Sequence, residues 1–142
     1  MFAIQIYDPK HQIKWDNLLD KCDFYPLNGS KTIGFTYLRN KQQYSFQGRD
    51  FYEKGFAFYH KGKFYRYTTS VPDEESLSMM PLPDETVRAS TILYFGMVER
   101  DPSNNNKIKL QSCAQCDFKV TVPAFMVNQF LPNSTKTWYS SI

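Results

Sequence analysis

The residue pair that first suggests chemistry is Cys113 and Cys116 in the run SCAQC, since two thiols three apart can hold a zinc ion or form a redox couple. Their setting argues against both uses. Ile108, Leu110, Ser112, Ala114, Cys116 and Phe118 alternate with Lys107, Lys109, Gln111, Gln115, Asp117 and Lys119, the period-two pattern of a half-buried strand. On a strand, residues three apart face opposite sides, so these two sulfurs cannot chelate one ion. The chain has no second CxxC and no suitably spaced histidine pair. A redox couple would also want a helix start, which this is not. His11 and His60 stand beside no nucleophile motif such as GxSxG. The acidic pairs Glu74-Glu75 and Asp84-Glu85 fall in a loop-like stretch, where solvation rather than a raised pKa is expected. Six widely spaced glycines form no phosphate cradle. The residues therefore offer no catalytic centre, no metal site and no cofactor site.

The elements that must position these residues are mostly short strands. Asp8-Pro9 predicts a helix start, with Ile13, Trp15, Leu18 and Leu19 as its apolar residues. Asp23 to Leu27 and Thr32 to Leu38 read as strands around Asn28-Gly29-Ser30. Arg39 to Gly48 is a long polar loop. Asp50 to Tyr59 and Lys63 to Ser70 form a second hairpin, and the proline-rich, acidic stretch from Pro72 to Glu85 is a second long loop. Its Leu77, Met79, Met80 and Leu82 are expected either to tuck against the body or to cover a cavity. Val87 to Glu99 is a strand, and Asp101 to Asn106 is the turn that leads back into the strand from Lys107. At Val122 the period changes. Val122, Phe125, Met126 and Phe130 make one apolar stripe of a helix capped by Thr121. Six strands in sequence with helices at the two ends give an α+β antiparallel meander on which the last helix packs.

Composition narrows the partners. A chain of 142 residues with 42% hydrophobic residues suits one domain with a core. The net charge of +3, from 17 basic and 14 acidic residues, is scattered, so no nucleic-acid partner is expected. Aromatic content is high, at 17%, and rings of this kind line packed cores or apolar cavities. Three cysteines, and no apolar leader-like stretch, lead to the expectation of a reducing, cytoplasmic setting without disulfides. No run of eighteen apolar residues occurs, so any membrane contact is expected to be peripheral. Asn28-Gly29-Ser30 and Asn133-Ser134-Thr135 match the glycosylation pattern and are read as polar turns.

The order of five pieces then carries more information than any one of them. IYDPKHQIKWDNLL, GRDFY at Gly48 to Tyr52, TTSV at Thr68 to Val71, TVRA at Thr86 to Ala89 and DFKVTVPAFMVNQF at Asp117 to Phe130 follow one another with the spacing of a known family. The sequence resembles the START family, the lipid-transfer domains related to the steroidogenic acute regulatory protein. The resemblance implies a helix-grip fold, in which a curved antiparallel sheet wraps a C-terminal helix around a hydrophobic tunnel for one lipid. It implies no enzyme activity and no cofactor. It makes the two long loops the family's omega-shaped loops, with Tyr44 and Phe46 as gate or membrane-contact residues. The lining expected from it is Phe51, Phe95, Ile108, Leu110, Ser112, Ala114 and Cys116 on the sheet, with Val122, Phe125, Met126 and Phe130 on the helix. Burial of an acyl chain or sterol is favourable by roughly 25 cal/mol per Å² of apolar area, so such a site needs few polar groups.

Three departures qualify the resemblance. Val120 replaces the glycine of the family's DxxGxxP pattern, and Gly55 stands where several sterol-type members carry a buried basic residue. Leu131-Pro132-Asn133 is expected to kink or break the last helix. The chain also starts just ahead of the DPKxxxxWD segment, which lies about a third of the way into family members. It is therefore read as a START domain incomplete at its N-terminus, residues 1–142 being a part of one. The strand from Lys107 to Lys119 is then expected to be an exposed edge, the isolated chain to be marginal or prone to aggregate, and other domains of a longer protein to be partners. Two rival readings stand beside lipid carriage. One is an interaction module whose cavity is filled by Phe51, Tyr59 and Phe95; the other is a helix-grip enzyme such as a cyclase or hydrolase, for which Glu53 is the single inward acid.

Overall fold

Asp8 opens the first helix, α1 (Pro9–Trp15), from extended backbone, its side chain accepting a hydrogen bond from the Lys10 N–H at 2.9 Å. Proline at the first helical position needs no N–H there, which is why the start falls where the sequence predicts. The helix stops at Asp16, whose carboxylate accepts from the Leu18 N–H at 3.1 Å and turns the chain into strand. Leu19, expected in this helix, is instead the buried first residue of β1 (Leu19–Pro26). The computed structural model describes residues 8–42 and 47–121 (Asn105 in backbone only) together with Pro132, Lys136 and Ser140. Tyr44 and Phe46, and the stripe Val122, Phe125, Met126 and Phe130, lie outside the described residues. Pro132, Lys136 and Ser140 are helical and exposed.

After β1 come a short 3-10 turn (Leu27–Gly29), then β2 (Ile33–Asn40), β3 (Gly48–His60), β4 (Lys63–Ser70), α2 (Asp73–Met79), β5 (Thr86–Arg88), β6 (Ser90–Asp101) and β7 (Asn104–Asp117). The turns follow from local chemistry. Lys61 and Gly62 take φ of 48° and 76°, the left-handed pair that a two-residue hairpin demands, and Asn28 and Gly29 take 50° and 73° within the longer connection between β1 and β2. At the β6–β7 turn, Asp101 Oδ1 accepts from the Ser103 N–H at 2.8 Å and from its hydroxyl at 2.6 Å. That turn is shorter than expected, since Asp101 already pairs with Asn104.

The strands form one sheet in the order β1-β2-β3-β4-β6-β7, with antiparallel neighbours throughout. The strand expected over Val87 to Glu99 is broken at Ala89 into β5 and β6, which makes the seventh strand. β5 pairs in parallel with Gly48 to Asp50, ahead of the part of β3 that pairs with β4. The Pro72 to Glu85 stretch, expected as loop, contains α2. Among the described residues β7 is an edge strand of this sheet, as expected.

The register divides the side chains into two faces. Across β2, β3 and β4, Thr36, Glu53 and Ser70 stand side by side, and two residues along are Gly34, Gly55 and Thr68. The same face continues through Tyr94 and Ala114, and through Gly96 and Ser112. The opposite face carries Phe35, Tyr37, Tyr52, Phe56, Tyr67 and Phe95. On this Tyr52 face lies a core of Tyr37, Tyr52 and Val71, against which Phe35 and Met80 pack. Phe35 and Tyr52 stack at 5.6 Å. Met80 thus tucks inward, whereas Leu77, Met79 and Leu82 remain exposed. The Glu53 face carries α1 at its β1 end, where Cys22 Sγ lies 3.8 Å from Gln12 Oε1.

Candidate functional site

The two motifs GRDFY and TVRA meet on the Tyr52 face. Asp50 is fully buried, and Arg88 donates to it in bidentate fashion, Nε to Oδ1 at 2.8 Å and Nη2 to Oδ2 at 3.0 Å. The same guanidinium donates to Ser76 Oγ at 2.9 Å and to the Met80 carbonyl at 2.9 Å, so it ties α2 and its C-terminal end to β3 and β5. The Ala89 N–H closes the joint on the Asp50 carbonyl at 2.9 Å. Tyr37 belongs to this network: burial, then the charge and hydrogen bonding of Asp50, push its hydroxyl up to about 12. Every polar atom here has a protein partner, which makes the cluster a structural joint rather than a ligand site.

The Glu53 face is different. Its polar row combines buried Thr36, Glu53, Thr68 and Thr91 with half-buried Ser70 and Cys116. Thr91 Oγ1 donates to Glu53 Oε1 at 2.6 Å, and the Thr91 N–H donates to Ser70 Oγ at 2.7 Å. Cys116 Sγ lies 3.8 Å from Thr91 Oγ1. Among the described residues, Thr68 Oγ1 alone is a buried side-chain polar atom without a hydrogen-bond partner, and Thr68 is 3% exposed. Burial pushes the Cys22 thiol up to about 12, against a lowering by Arg66 on the same face, and burial also raises Cys116. Around this row the face is mixed: Gly34, Gly55, Ala57, Gly96, Ser112 and Ala114 carry little bulk, Phe51, Val98, Ile108 and Leu110 supply apolar surface, and Tyr94 and the cation Arg66 stand among them.

Of the expected lining, Phe51, Ile108, Leu110, Ser112, Ala114 and Cys116 share the Glu53 face. Phe51 is buried, with its ring edge-on to Phe118 at 6.0 Å; Ile108, Leu110 and Cys116 are half-buried, while Ser112 and Ala114 are exposed. Phe95 is a correction. It pairs with Tyr67 and Cys113 and points to the Tyr52 face, because strand parity carried from Phe51 through β4 assigns Tyr94, not Phe95, to its side. Cys113 and Cys116 fall on opposite sides, as their spacing requires, and among the described residues no group of three or more His, Cys, Asp and Glu could hold a metal. His11, His60, Glu74, Glu75, Asp84 and Glu85 are exposed.

Thr68 and Thr91 were missed as site residues. Alternation from Phe51 through Glu53 and Gly55 was available in the sequence, but the partner strand's register was not.

The Tyr52 face holds a pocket of about 310 Å³ lined by Leu27, Ile33, Phe35, Lys54, Phe56, Tyr67 and Thr69. Beside it, an aromatic ladder runs over the sheet: Phe56 and Phe58 at 6.0 Å, Phe58 and Tyr65 at 5.1 Å, Tyr65 and Phe95 at 6.0 Å. Several of its rings are exposed, Phe56, Phe58 and Phe95 among them.

Neither a protein-family profile nor a curated protein sequence matches the chain. Solved structures do. Human StAR-related lipid transfer protein 5 superposes with a TM-score of 0.76 at 19% identity over 92% of this chain and 61% of its own. Human STARD10 gives 0.77 at 17% identity over 98% of this chain and 56% of its own. The lipid transfer and protein localization domain of human StarD13 gives 0.75 at 15% identity over 99% and 70%. The chain therefore has the fold of START domains, and it spans about three fifths of the length of the first two.

Proposed function

We propose that this chain binds a single lipid against the Glu53 face of its sheet and carries it without catalysing a reaction. The observation that carries the reading is one sheet face, in a START fold, that has a run of small residues at Gly34, Gly55, Gly96 and Ala114, apolar residues at its margins and a short row of buried polar groups across it. A lipid site of this kind needs apolar area for affinity and only a few polar atoms for orientation. The likeness to lipid transfer proteins supports the same reading. The pocket on the Tyr52 face is a poorer candidate, because Leu27, Ile33 and Phe56 in its wall are themselves exposed, whereas ligand sites bury most of their ligand.

The rival of a filled, ligand-free module loses two of its three supports, since Phe95 lies on the other face and Tyr59 is 65% exposed. For an enzyme, Glu53 lacks an acid-base partner in the row beyond hydroxyls and a thiol whose pKa is raised by burial. The chain would work in the cytoplasm with peripheral membrane contact, Tyr44 and Phe46 serving at the gate. Native mass spectrometry of the purified chain, together with transfer of lipids between liposomes, tests the reading. A stoichiometric lipid and measurable transfer are expected; absence of both across neutral, zwitterionic and anionic lipids overturns it.

A further inference from the structure

We infer that the Tyr52 face is a second binding surface, separate from the lipid face, and that its partner is a short acidic peptide segment of another protein, which sets one large apolar side chain in the pocket at Ile33 and Phe56 and a carboxylate beside Lys54. The inference does not rest on the lipid-binding reading. Strand pairing brings Ile33, Phe56, Tyr67 and Phe95 into one row across β2, β3, β4 and β6, with Phe58 and Tyr65 in the next row. Leu27, Ile33, Phe56, Phe58 and Phe95 are each between 40% and 47% exposed. The rings brace one another, Phe56 against Tyr67 at 5.5 Å and Phe58 against Tyr65 at 5.1 Å, so the surface is formed before anything covers it. In the pocket of about 310 Å³, the Thr69 hydroxyl is spent on the Thr91 and Ile92 carbonyls, at 3.3 and 3.0 Å. Among the described residues of its wall Lys54 is the single charged one; it is exposed and forms no ion pair with another described residue. A contiguous apolar patch rimmed by polar groups is the mark of an interaction surface.

Charge and area decide the occupant. The aromatic rows lie between Lys54 on one side and Lys63 and Lys109 on the other, and those two lysines share Glu99, at 2.6 and 3.8 Å. Three cations to one carboxylate leave the surface positive, and a two-fold second copy would lay it against itself, like charge on like charge. The exposed apolar area is on the order of 400 Å², about half of what each partner contributes to a stable dimer. An anionic membrane is held by clusters of roughly four to eight cations, whereas Glu99 already engages two of the three here. A short peptide fits both limits. One anchor side chain suits a pocket at the small end of ligand-binding volumes, the ring faces beside it receive the flanking residues, and one carboxylate meets the lysine that has no ion-pair partner.

The probe is a fluorescein-labelled synthetic peptide with one tryptophan between two runs of three glutamates, titrated with the full chain and followed by anisotropy. Saturable binding is expected, weakened about tenfold or more when alanine replaces the tryptophan and by a similar factor when lysines replace the glutamates. Ile33→Ser, at the exposed rim of the pocket, should weaken the glutamate peptide about tenfold. Lys54→Glu should weaken it about fivefold and bind the lysine peptide better than wild type does, a gain that misfolding cannot give. Both variants should transfer lipid as wild type does. No binding of the glutamate peptide, or binding indifferent to its tryptophan and to Lys54→Glu, overturns the inference. So does binding to phosphatidylserine vesicles, or self-association in sedimentation, that Ile33→Ser abolishes in a chain that ignores the peptide. Loss of lipid transfer in Ile33→Ser overturns the separation of the two surfaces, while absence of transfer in wild type bears on the lipid-binding reading alone.

Discussion

At the scale of single residues, the charged groups of this chain divide by whether the protein satisfies them. Asp50 and Arg88 are buried at 0% and 7% exposure and share two hydrogen bonds, with Ser76 and Met80 each taking one further donor. Asp50→Asn or Arg88→Met leaves the other charge buried and unpaired, so a loss of about 3–5 kcal/mol in urea unfolding is expected. Arg88→Lys should recover only part of it, since an ammonium cannot reproduce the fork. A loss under 1 kcal/mol for both single variants would show that the joint is not structural. The thiol of Cys22 and the hydroxyl of Tyr37 give a second expectation. Both are raised to about 12 on folding, from 9.0 and 10.0, chiefly by burial. Their protons are held more tightly in the folded chain, so their contribution to stability is complete below pH 9 and falls as pH rises toward 12. The urea midpoint should decline across that window, and Cys22→Ala should flatten the first part of the decline. A midpoint constant from pH 8 to 11 would contradict the burial of both groups.

At the scale of elements, what was legible in the sequence is what depends on neighbours along the chain. Alternation from Ile108 to Phe118 predicted β7, Asp8-Pro9 predicted the start of α1, and Lys61-Gly62 sits at the tip of the hairpin expected there. What was not legible depends on partners far apart. Tyr94 and Phe95 are both aromatic, and only the register through Tyr67 and Thr68 decides which of them shares a side with Glu53. Val87 onward was read as one strand, and its break into β5 and β6 was not legible, because the parallel pairing of β5 joins Arg88 to Asp50, far away in the sequence. The helix α2 was hidden by its flanking prolines and acids, although Asp73, Glu74 and Glu75 suit the first turn of a helix. The edge position of β7 leads to a prediction at this scale. A strand of 14 residues at the edge of the sheet that the described residues form is a template for pairing with another chain, and positive side chains on it oppose that pairing. Gln111 is exposed and lies between Lys109 and Cys113 on its face. Gln111→Lys should therefore reduce concentration-dependent association in sedimentation while changing stability by less than about 0.5 kcal/mol. Association that is the same in both chains would place the contact elsewhere.

At the scale of the whole molecule, the two faces of the sheet differ in how the described residues complete them. Tyr37, Tyr52 and Val71 complete a core beneath α2, but that core is small, and the Glu53 face keeps a buried hydroxyl that the protein does not satisfy. A ligand that fills the second face should then act as part of the core, and the apparent stability should depend on its presence. Binding to the folded chain alone contributes RT ln(1 + [L]/Kd), about 2.7 kcal/mol at a hundredfold excess over Kd. For a chain of this size that corresponds to a rise in melting temperature of roughly 5–10 °C. Removing bound lipid by extraction should lower the melting temperature by a comparable amount, and adding the extracted lipid back should restore it. The two faces can be separated by mutation. Phe58→Ser, in the exposed aromatic ladder, should leave the lipid-induced rise intact, whereas Leu110→Asp, at the apolar margin of the Glu53 face, should diminish it. If Phe58→Ser abolishes the rise and Leu110→Asp does not, the ligand sits on the aromatic ladder, and the buried polar row must be explained by the fold alone.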